Sequence, residues 1–151
     1  MTPTVTIGVA MAQPSQIDID DMCEDYISHS LFRPGANIPP DVLEFVRYIH
    51  AHLLDENLTV DGALNACRLR SSSFAGRFRR YVGLGKKEYI LHHRIELAKR
   101  LLATGRWTVG EISCRVGFAS ISAFSKQFRL VCGRSPSTWY LGVKSKSLDK
   151  D

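Results

Sequence analysis

Hydroxyl and basic side chains occur together in two segments of the chain that lie 50 residues apart. The later segment carries Ser122, Ser125, Lys126 and Arg129, and the earlier one carries Ser72, Arg77, Arg79 and Arg80. Groups of this kind donate hydrogen bonds to phosphate oxygens and to base edges, which is the chemistry of nucleic-acid recognition. That role requires elements that turn these side chains toward solvent on one surface.

The two segments repeat one pattern at a fixed distance. Five pairs of similar residues keep an offset of 50 positions: Asp61/Glu111, Phe74/Phe124, Phe78/Phe128, Arg79/Arg129 and Gly83/Gly133. The fixed offset predicts the same small module twice, with no insertion in either copy.

Apolar residues at 3.6-residue spacing predict an all-α domain of seven helices over residues 39–144, with no strand. The predicted helices run from about Pro40 to Glu56, Thr59 to Cys67, Ser71 to Val82, Lys86 to Ala103, Thr108 to Gly117, Ser120 to Cys132, and from Pro136 onward. Thr108 and Glu111 form a predicted capping box, while Gly83 and Gly133 are predicted helix stops. At 1.5 Å per residue, the fourth helix is expected to span about 27 Å.

Each module combines a short helix, a tight turn and a second helix with a basic outer face, which predicts a helix-turn-helix unit. In the second copy Phe124 and Phe128 face the core. A rotation of about 100° per residue then turns four side chains outward: Ser122, Ser125, Lys126 and Arg129. The outward positions of the first copy are Ser72, Ala75, Gly76 and Arg79, with Arg77 and Arg80 at the edges. Ala75 and Gly76 offer only a methyl group and backbone, so this copy is expected to contact mainly phosphates.

The turns of the two units are predicted to differ. Gly117 lies at the turn of the second unit, where a residue that adopts positive φ without strain is needed. The fixed offset assigns Cys67 to that position in the first unit, next to the basic Arg68 and Arg70.

Charge is distributed unevenly along the 151 residues, which carry a net charge of +5. From Arg68 to Lys146 there are 17 Lys and Arg against three acids, whereas five acids precede residue 39. A cationic segment of this kind attracts a polyanion such as nucleic acid, although it is also compatible with a solvated basic surface.

Other functional classes lack their sequence signals. The four cysteines have no CxxC spacing and the five histidines form no HExxH motif, so a metal site is not expected. No GxSxG motif, P-loop or paired carboxylates indicate an enzyme or a cofactor. Neither a signal peptide nor an apolar run of membrane-spanning length is present, so a reduced, cytoplasmic protein is expected.

The stretch from Arg94 to Tyr140 resembles the signature of the AraC/XylS family of bacterial transcription regulators. The matching positions are Arg94, Ala98, Leu101, Leu102, Ile112, Val116, Gly117, Phe118, Phe124, Ser125, Lys126, Phe128, Arg129, Gly133, Ser135 and Pro136. The resemblance covers about residues 41–143 and implies two helix-turn-helix units joined by a long helix. Ser113 departs from the usual alanine, and Cys67 from the usual turn glycine.

The resemblance implies a sequence-specific regulator that binds promoter DNA at the nucleoid and contacts RNA polymerase, more often as an activator than a repressor. Its base-facing residues would be Ile121, Ser122, Ser125 and Lys126 in the second unit, and Ser72, Ala75 and Gly76 in the first. With both units in one chain, a monomer would bind an asymmetric site of roughly 20 base pairs, two turns of DNA. The 38 residues before Pro39 leave no room for an effector domain, as in short members of the family.

The ends of the chain are expected to differ from the domain. Residues 1–38 are predicted to form an acidic, partly disordered segment, with the disorder over residues 1–15. Ile17, Met22, Tyr26 and Ile27 line one face of a predicted short helix in this segment, and residues 145–151 form a flexible tail. Several roles are open for the acidic segment: a solvated tail or packing helix, a polymerase contact, a dimer contact, or a cover for the basic face.

Two alternatives to sequence-specific binding remain open. The small residues of the first recognition helix are compatible with a DNA binder of low specificity. A protein-interaction module that keeps this fold without binding DNA is the other alternative.

Overall fold

The structure, a computed structural model, describes residues 14–30 and 37–149, apart from the side chains of residues 14–18, 30, 71 and 143–149. Within these ranges the chain forms eight helices and no strand. They are α1 (Pro14–Ser30), α2 (Pro40–His52), α3 (Val60–Ala66), α4 (Ser71–Val82), α5 (Lys86–Thr104), α6 (Val109–Arg115), α7 (Ile121–Cys132) and α8 (Pro136–Asp149). None of the helices in the described ranges has both the length and the apolarity needed to cross a membrane.

The chain divides into two compact parts, Met1–Ser30 and Leu31–Asp151. Helix α1 belongs to the amino-terminal part, and its buried side chains are Ile19, Cys23 and Tyr26, which follow helical spacing. Of the predicted face, Tyr26 is buried, Met22 and Ile27 are half-buried on the same side of the helix, and the side chain of Ile17 lies outside the described residues. The disorder predicted for residues 1–15 also falls outside them, apart from the two residues that open α1.

Helices α2 to α8 confirm the seven-helix architecture, because the residues that start and stop them act as the sequence indicates. Thr108 and Glu111 form the capping box at α6, and the Ser120 hydroxyl accepts a hydrogen bond from the Ala123 amide at the start of α7. Helices α4 and α7 both end in a glycine with left-handed backbone, Gly83 at φ 86° and Gly133 at φ 77°. Glycine adopts this conformation without the steric cost that other residues meet.

Two helix ends differ from the prediction. Helix α2 ends at His52 rather than near Glu56, and the chain continues through short turns in which the Asp55 amide donates to the His52 carbonyl. The carbonyls of Leu53 and Asp55 accept hydrogen bonds from a buried arginine in α5 instead of from helix amides. Helix α8 continues to Asp149, so most of the predicted tail after residue 144 is helical.

Each half of the domain is built on a cluster of four aromatic rings. In the first half Phe45 of α2 contacts Phe74 and Phe78 of α4 at centroid distances of 5.1 and 5.4 Å, and Tyr89 of α5 meets Phe78 edge-on at 5.7 Å. Edge-to-face contacts at these distances are favourable for aromatic rings. This cluster holds α4 between α2 and the beginning of α5.

The second cluster repeats this arrangement. Phe124 of α7 contacts Phe118 at 5.2 Å and Phe128 at 5.6 Å, and Trp139 of α8 meets Phe128 edge-on at 6.0 Å. Because Tyr89 and Trp139 are 50 positions apart, the beginning of α5 closes the first unit as α8 closes the second. Helix α5 therefore belongs to both halves.

Two histidines and a tyrosine join α2 to α5. His50 Nε2 lies 2.5 Å from the Tyr89 hydroxyl, and the His93 ring lies 4.5 Å from Tyr89 and 5.1 Å from His50. Burial, together with the smaller effects of the neighbouring His50 and His92, lowers the pKa of His93 to about 3. His93 is therefore neutral in the folded protein at any pH near 7.

Acidification is expected to destabilise this junction. An unfolded chain takes up a proton at His93 near pH 6.5, whereas the folded protein does so only near pH 3, so the free energy of unfolding falls as pH falls between these values. Urea unfolding should show a loss of up to about 2 kcal/mol between pH 6.5 and 5. His93→Gln should remove most of this slope and His92→Gln, on the exposed side of the same helix, should keep it; an undiminished slope in His93→Gln would contradict the assignment.

Candidate nucleic-acid interface

Helix α7 presents its polar face to solvent. Phe124 and Phe128 are fully buried, and the positions between them point the other way. Ser122, Lys126 and Arg129 are exposed and Ser125 is half-buried. The structure thus brings the four predicted residues of the second unit to one exposed helix face, and their contact with DNA stays a prediction.

Ile121 opens α7 and is 53% exposed. Its Cδ1 atom lies only 3.1 Å from the place that a Cβ on Gly110 would occupy, so the side chain packs closely over α6. An isoleucine fixed in this way offers a shaped apolar surface, which suits contact with a thymine methyl group. Nothing in the periodicity of the sequence indicated this residue, because it is apolar and lies beside the core positions.

Helix α4 offers less side-chain chemistry on the corresponding face. Ser72 and Gly76 are exposed and Ala75 is half-buried. No atom lies within 4 Å of the place that a Cβ on Gly76 would occupy, so the backbone of α4 is open there. Helix α4 also lacks a side-chain cap, because Arg70 is at the position that Ser120 occupies in α7.

The three predicted DNA-contacting arginines of α4 are not equivalent. Arg77 pairs with Asp41 at the start of α2 and lies 5.9 Å from the centre of the Phe74 ring. Arg79 donates to Glu88 of α5 at 2.8 Å, and both side chains remain well exposed. Arg80 is exposed and forms no ion pair with the described residues. Two of the arginines therefore also connect α4 to its neighbouring helices.

The turns of the two units correct the predicted alignment. Helices α3 and α6 begin after Thr59 and Thr108, which are 49 positions apart, whereas α4 and α7 are 50 apart. The position equivalent to Gly117 is thus Arg68 rather than Cys67. Arg68 has φ 56°, the only positive value for a residue other than glycine in the described ranges, and Gly117 has φ 92°.

The hydrogen bonds of the turns confirm this alignment. In the first unit the Leu69 amide donates to the Leu64 carbonyl at 2.8 Å, and in the second the Phe118 amide donates to Ser113 at 3.0 Å. Both bonds close a left-handed helix end. Cys67, with φ −89°, corresponds to the buried Val116, and the pairing of Asp61 with Glu111 was wrong. The second turn contains one additional residue before its recognition helix.

Arg94 connects the two units from the middle of α5. Its Nε donates to the Leu53 carbonyl at 2.8 Å and its Nη2 to the Asp55 carbonyl at 2.7 Å, both in the segment after α2. On the other side, the guanidinium lies 5.8 Å from the centre of the Phe118 ring. A Cβ on Gly117 would lie 2.9 Å from the guanidinium carbon, closer than Cβ atoms in folded proteins come to other atoms.

The environment of Arg94 is unusual for a cation. Burial lowers the pKa of its guanidinium, and the nearby carboxylate of Asp55 opposes that shift. A buried charge is tolerated when polar groups replace its water, and the two carbonyls do so here. The sequence alone indicated Arg94 as part of a motif and gave no sign of its acceptors, since Leu53 and Asp55 contribute only backbone atoms.

Sequence reasoning also missed the acidic partners of α4. Asp41 lies 36 residues before Arg77, so no local pattern connects them. Glu88 lies nine residues after Arg79 across a helix break. The buried Ser113, in contrast, is accommodated locally, because its hydroxyl donates to the Gly110 carbonyl at 2.9 Å.

Comparison with known proteins agrees with this geometry. A family model described as a helix-turn-helix domain matches residues 64–140, just over half of the chain. The arabinose operon regulatory protein of Escherichia coli (strain K12) is 32% identical over 123 residues, which are 82% of this chain and 41% of that protein. The chain belongs to the AraC family. This membership confirms the resemblance found in the sequence.

Two further relatives extend the comparison. The probable transcriptional regulator LumQ of Photobacterium leiognathi is 30% identical over 97 residues, 64% of this chain and 39% of that protein. The DNA-binding domain of AdpA, solved in complex with a target DNA, has a TM-score of 0.65 and 26% identity, covering 72% of this chain and 96% of that one. The chain therefore has the fold of an AraC-type DNA-binding domain, and it spans about two fifths of the two curated relatives.

The contact between Gly117 and Arg94 can be tested by two glycine substitutions. Gly117→Ala and Gly133→Ala both place a side chain on a left-handed backbone, but only the first meets other atoms. Gly133→Ala should cost about 1 to 2 kcal/mol from backbone strain. Gly117→Ala should cost more than Gly133→Ala in urea unfolding, because its methyl group would displace the guanidinium from its acceptors. Equal losses of unfolding free energy in the two variants would show that the Arg94 guanidinium can move aside without an energetic cost.

Proposed function

We propose that this protein is a sequence-specific transcription regulator that binds promoter DNA through α4 and α7. The observation that carries the proposal is the pair of helix-turn-helix units, each with its second helix exposed, one before and one after a single continuous helix in the chain. AdpA, a neighbour in fold, was solved with a target DNA on the same kind of domain. The protein would act in the cytoplasm at the nucleoid, as an activator that contacts RNA polymerase.

The length of α5 supports binding of a single chain to two grooves. Its 19 residues correspond to about 28 Å at 1.5 Å per residue, and adjacent major-groove segments on one face of DNA are roughly 34 Å apart. Helix α4 precedes this spacer in the chain, α7 follows it, and both pack on it. One monomer would therefore cover roughly 20 base pairs without a partner.

Differences between the units support an asymmetric site. Helix α7 carries Ser125 and Lys126 where α4 has Ala75 and Gly76, so the two helices offer different hydrogen-bond donors. The additional residue in the second turn also changes how α7 is presented relative to α6. A lysine or arginine that reaches the major groove favours guanine, whereas a bare backbone distinguishes bases poorly.

A DNA binder of low specificity is the alternative that the first unit favours. Its outward residues are small, and Arg77 and Arg79 are paired with acids. Helix α4 would therefore position the protein on DNA through phosphate contacts rather than recognise bases. On this alternative only α7 would discriminate, and a site of one turn would suffice. A protein-interaction module that does not bind DNA is the other alternative.

Selection of duplexes from a random pool, followed by footprinting, tests the proposal. We expect an asymmetric consensus with protection over about two turns and a preference over random DNA of 10³ or more. A preference below about tenfold would favour the low-specificity binder. Failure to retain any duplex at low salt would favour the interaction module, and a perfect inverted repeat would contradict binding as a monomer.

Lys126 is expected to read a base. Lys126→Ala should weaken binding to the selected site by about 1 to 3 kcal/mol and relax the preference at one or two positions. The measurement is equilibrium binding to the selected duplex and to its single-base variants. Lys87→Ala, on an exposed residue of α5, is the control for loss of charge, and an identical uniform loss in both variants would contradict base reading by Lys126.

Arg79 is expected to contact phosphate in competition with Glu88. Arg79→Ala should weaken binding to all sequences alike and reduce the salt slope by about one. Glu88→Gln should strengthen binding to all sequences, because it releases the arginine from its 2.8 Å ion pair. Binding titrations across a salt series measure both effects, and a base-selective change in either variant would overturn the assignment.

A further inference from the structure

The relative orientation of the two units depends on α5. Every extensive helix pairing among the described residues either lies within one unit or includes α5. In the first unit α2 packs on α3 and α4, and in the second α7 packs on α6 and α8 while all three pack on α5. The orientation of the recognition helices is therefore set by contacts of α5 with each unit.

Space remains between the two units beside this helix. A cleft of about 910 Å³ is lined by Thr59 and Val60 of the first unit, by Phe118 and Gln127 of the second, and by α5. The units are thus not held together there by a packed interface. Arg94 lines the same cleft, donates to the carbonyls of the segment after α2 and lies beside Phe118 of the second unit.

The contacts of Arg94 are directional on one side and steric on the other. Two donors of one planar guanidinium meet two carbonyls, so the group has a fixed orientation relative to the end of α2. The same plane lies against Gly117 and near Phe118, which form the turn that aims α7. A change at Arg94 would therefore alter how α7 is oriented relative to α4, rather than the surface of either helix.

We infer that Arg94 is a positioning residue that sets the spacing and angle between the two recognition helices, and through them the separation of the two half-sites that the protein accepts. This inference rests on the proposed function, since it presumes that both helices bind one duplex. It goes beyond that function because it assigns the choice of spacing to a residue that touches no DNA.

The physical basis is the effective concentration of the second unit. When two linked modules match the spacing of their sites, binding of the second gains up to about 10²- to 10⁴-fold, and this gain disappears if the geometry prevents simultaneous contact. When the two units are rigidly connected, this gain in affinity depends steeply on the spacing between the half-sites. When the connection between the units is flexible, the gain in affinity is smaller at the correct spacing and similar at neighbouring spacings.

The test uses the full chain and a series of duplexes. The series consists of the selected site, the same site with one to five base pairs inserted between its halves, and a duplex that keeps only the half contacted by α7. Each inserted base pair rotates the second half-site by about 34° around the DNA axis. Wild-type protein should lose about tenfold or more in affinity on insertion of two base pairs.

Arg94→Gln should bind the selected site about tenfold more weakly than wild type and should vary less than about threefold across the insertion series. Its affinity for the single half-site should stay close to that of wild type, which reports that the second unit is folded. Arg47→Gln, on an exposed arginine of α2, is the matched control: it removes one charge and should keep the wild-type spacing profile.

A second variant perturbs the same contact from the other unit. Gly117→Ala should flatten or displace the spacing profile, whereas Gly133→Ala should leave it unchanged; this pair carries the test if Arg94→Gln does not fold. A wild-type spacing profile in Arg94→Gln or Gly117→Ala would overturn the inference, as would equal losses on the half-site and the full site. If wild-type protein itself shows no dependence on spacing, the proposed function fails as well.

Discussion

A single buried guanidinium determines how the two halves of this domain meet. Removing a cation from water is costly unless polar groups replace the hydration, and Arg94 obtains these groups from the carbonyls of Leu53 and Asp55. Those carbonyls are available because α2 ends at His52 and the chain turns away from the helix path. On the opposite side only glycine leaves room for the guanidinium at position 117. The end of α2 at His52, the buried arginine at position 94 and the glycine at position 117 are therefore all explained by the need to accommodate one buried cation.

The two duplicated modules are not independent of each other, because both pack on α5. Helix α5 closes the first unit through Tyr89 and opens the second through its buried carboxyl-terminal half, so neither unit has a complete core without it. Two modules that share a helix cannot rotate freely, in contrast to modules joined by a flexible linker. The shared helix fixes the distance between the recognition helices, and the contacts of its side chains fix their relative rotation.

The local features of the fold could be predicted from the sequence because they depend on neighbouring residues. The capping box at Thr108, the glycine stops at 83 and 133, and the phenylalanine pairs all lie within one turn or one helix. Features that depend on distant backbone could not be predicted, such as the end of α2 and the acceptors of Arg94. A constant offset of 50 was wrong by one residue in α3, because conserving hydrophobic spacing within each helix does not fix the length of the turn between them.

The one-residue difference in turn length is related to the roles of the basic residues in the two units. Arg68 holds a left-handed backbone that costs an arginine about 1 to 2 kcal/mol more than it would cost glycine, so the short turn must be stabilised by its surroundings. Helix α4 supplies such support: Arg77 reaches back to α2 and Arg79 reaches forward to α5. At the equivalent positions of α7, Gln127 replaces the first arginine, and Arg129 forms no ion pair with the described residues. Two of the three arginines in the first recognition helix thus also stabilise the arrangement of helices, whereas the arginine of the second recognition helix has no such ion pair among the described residues.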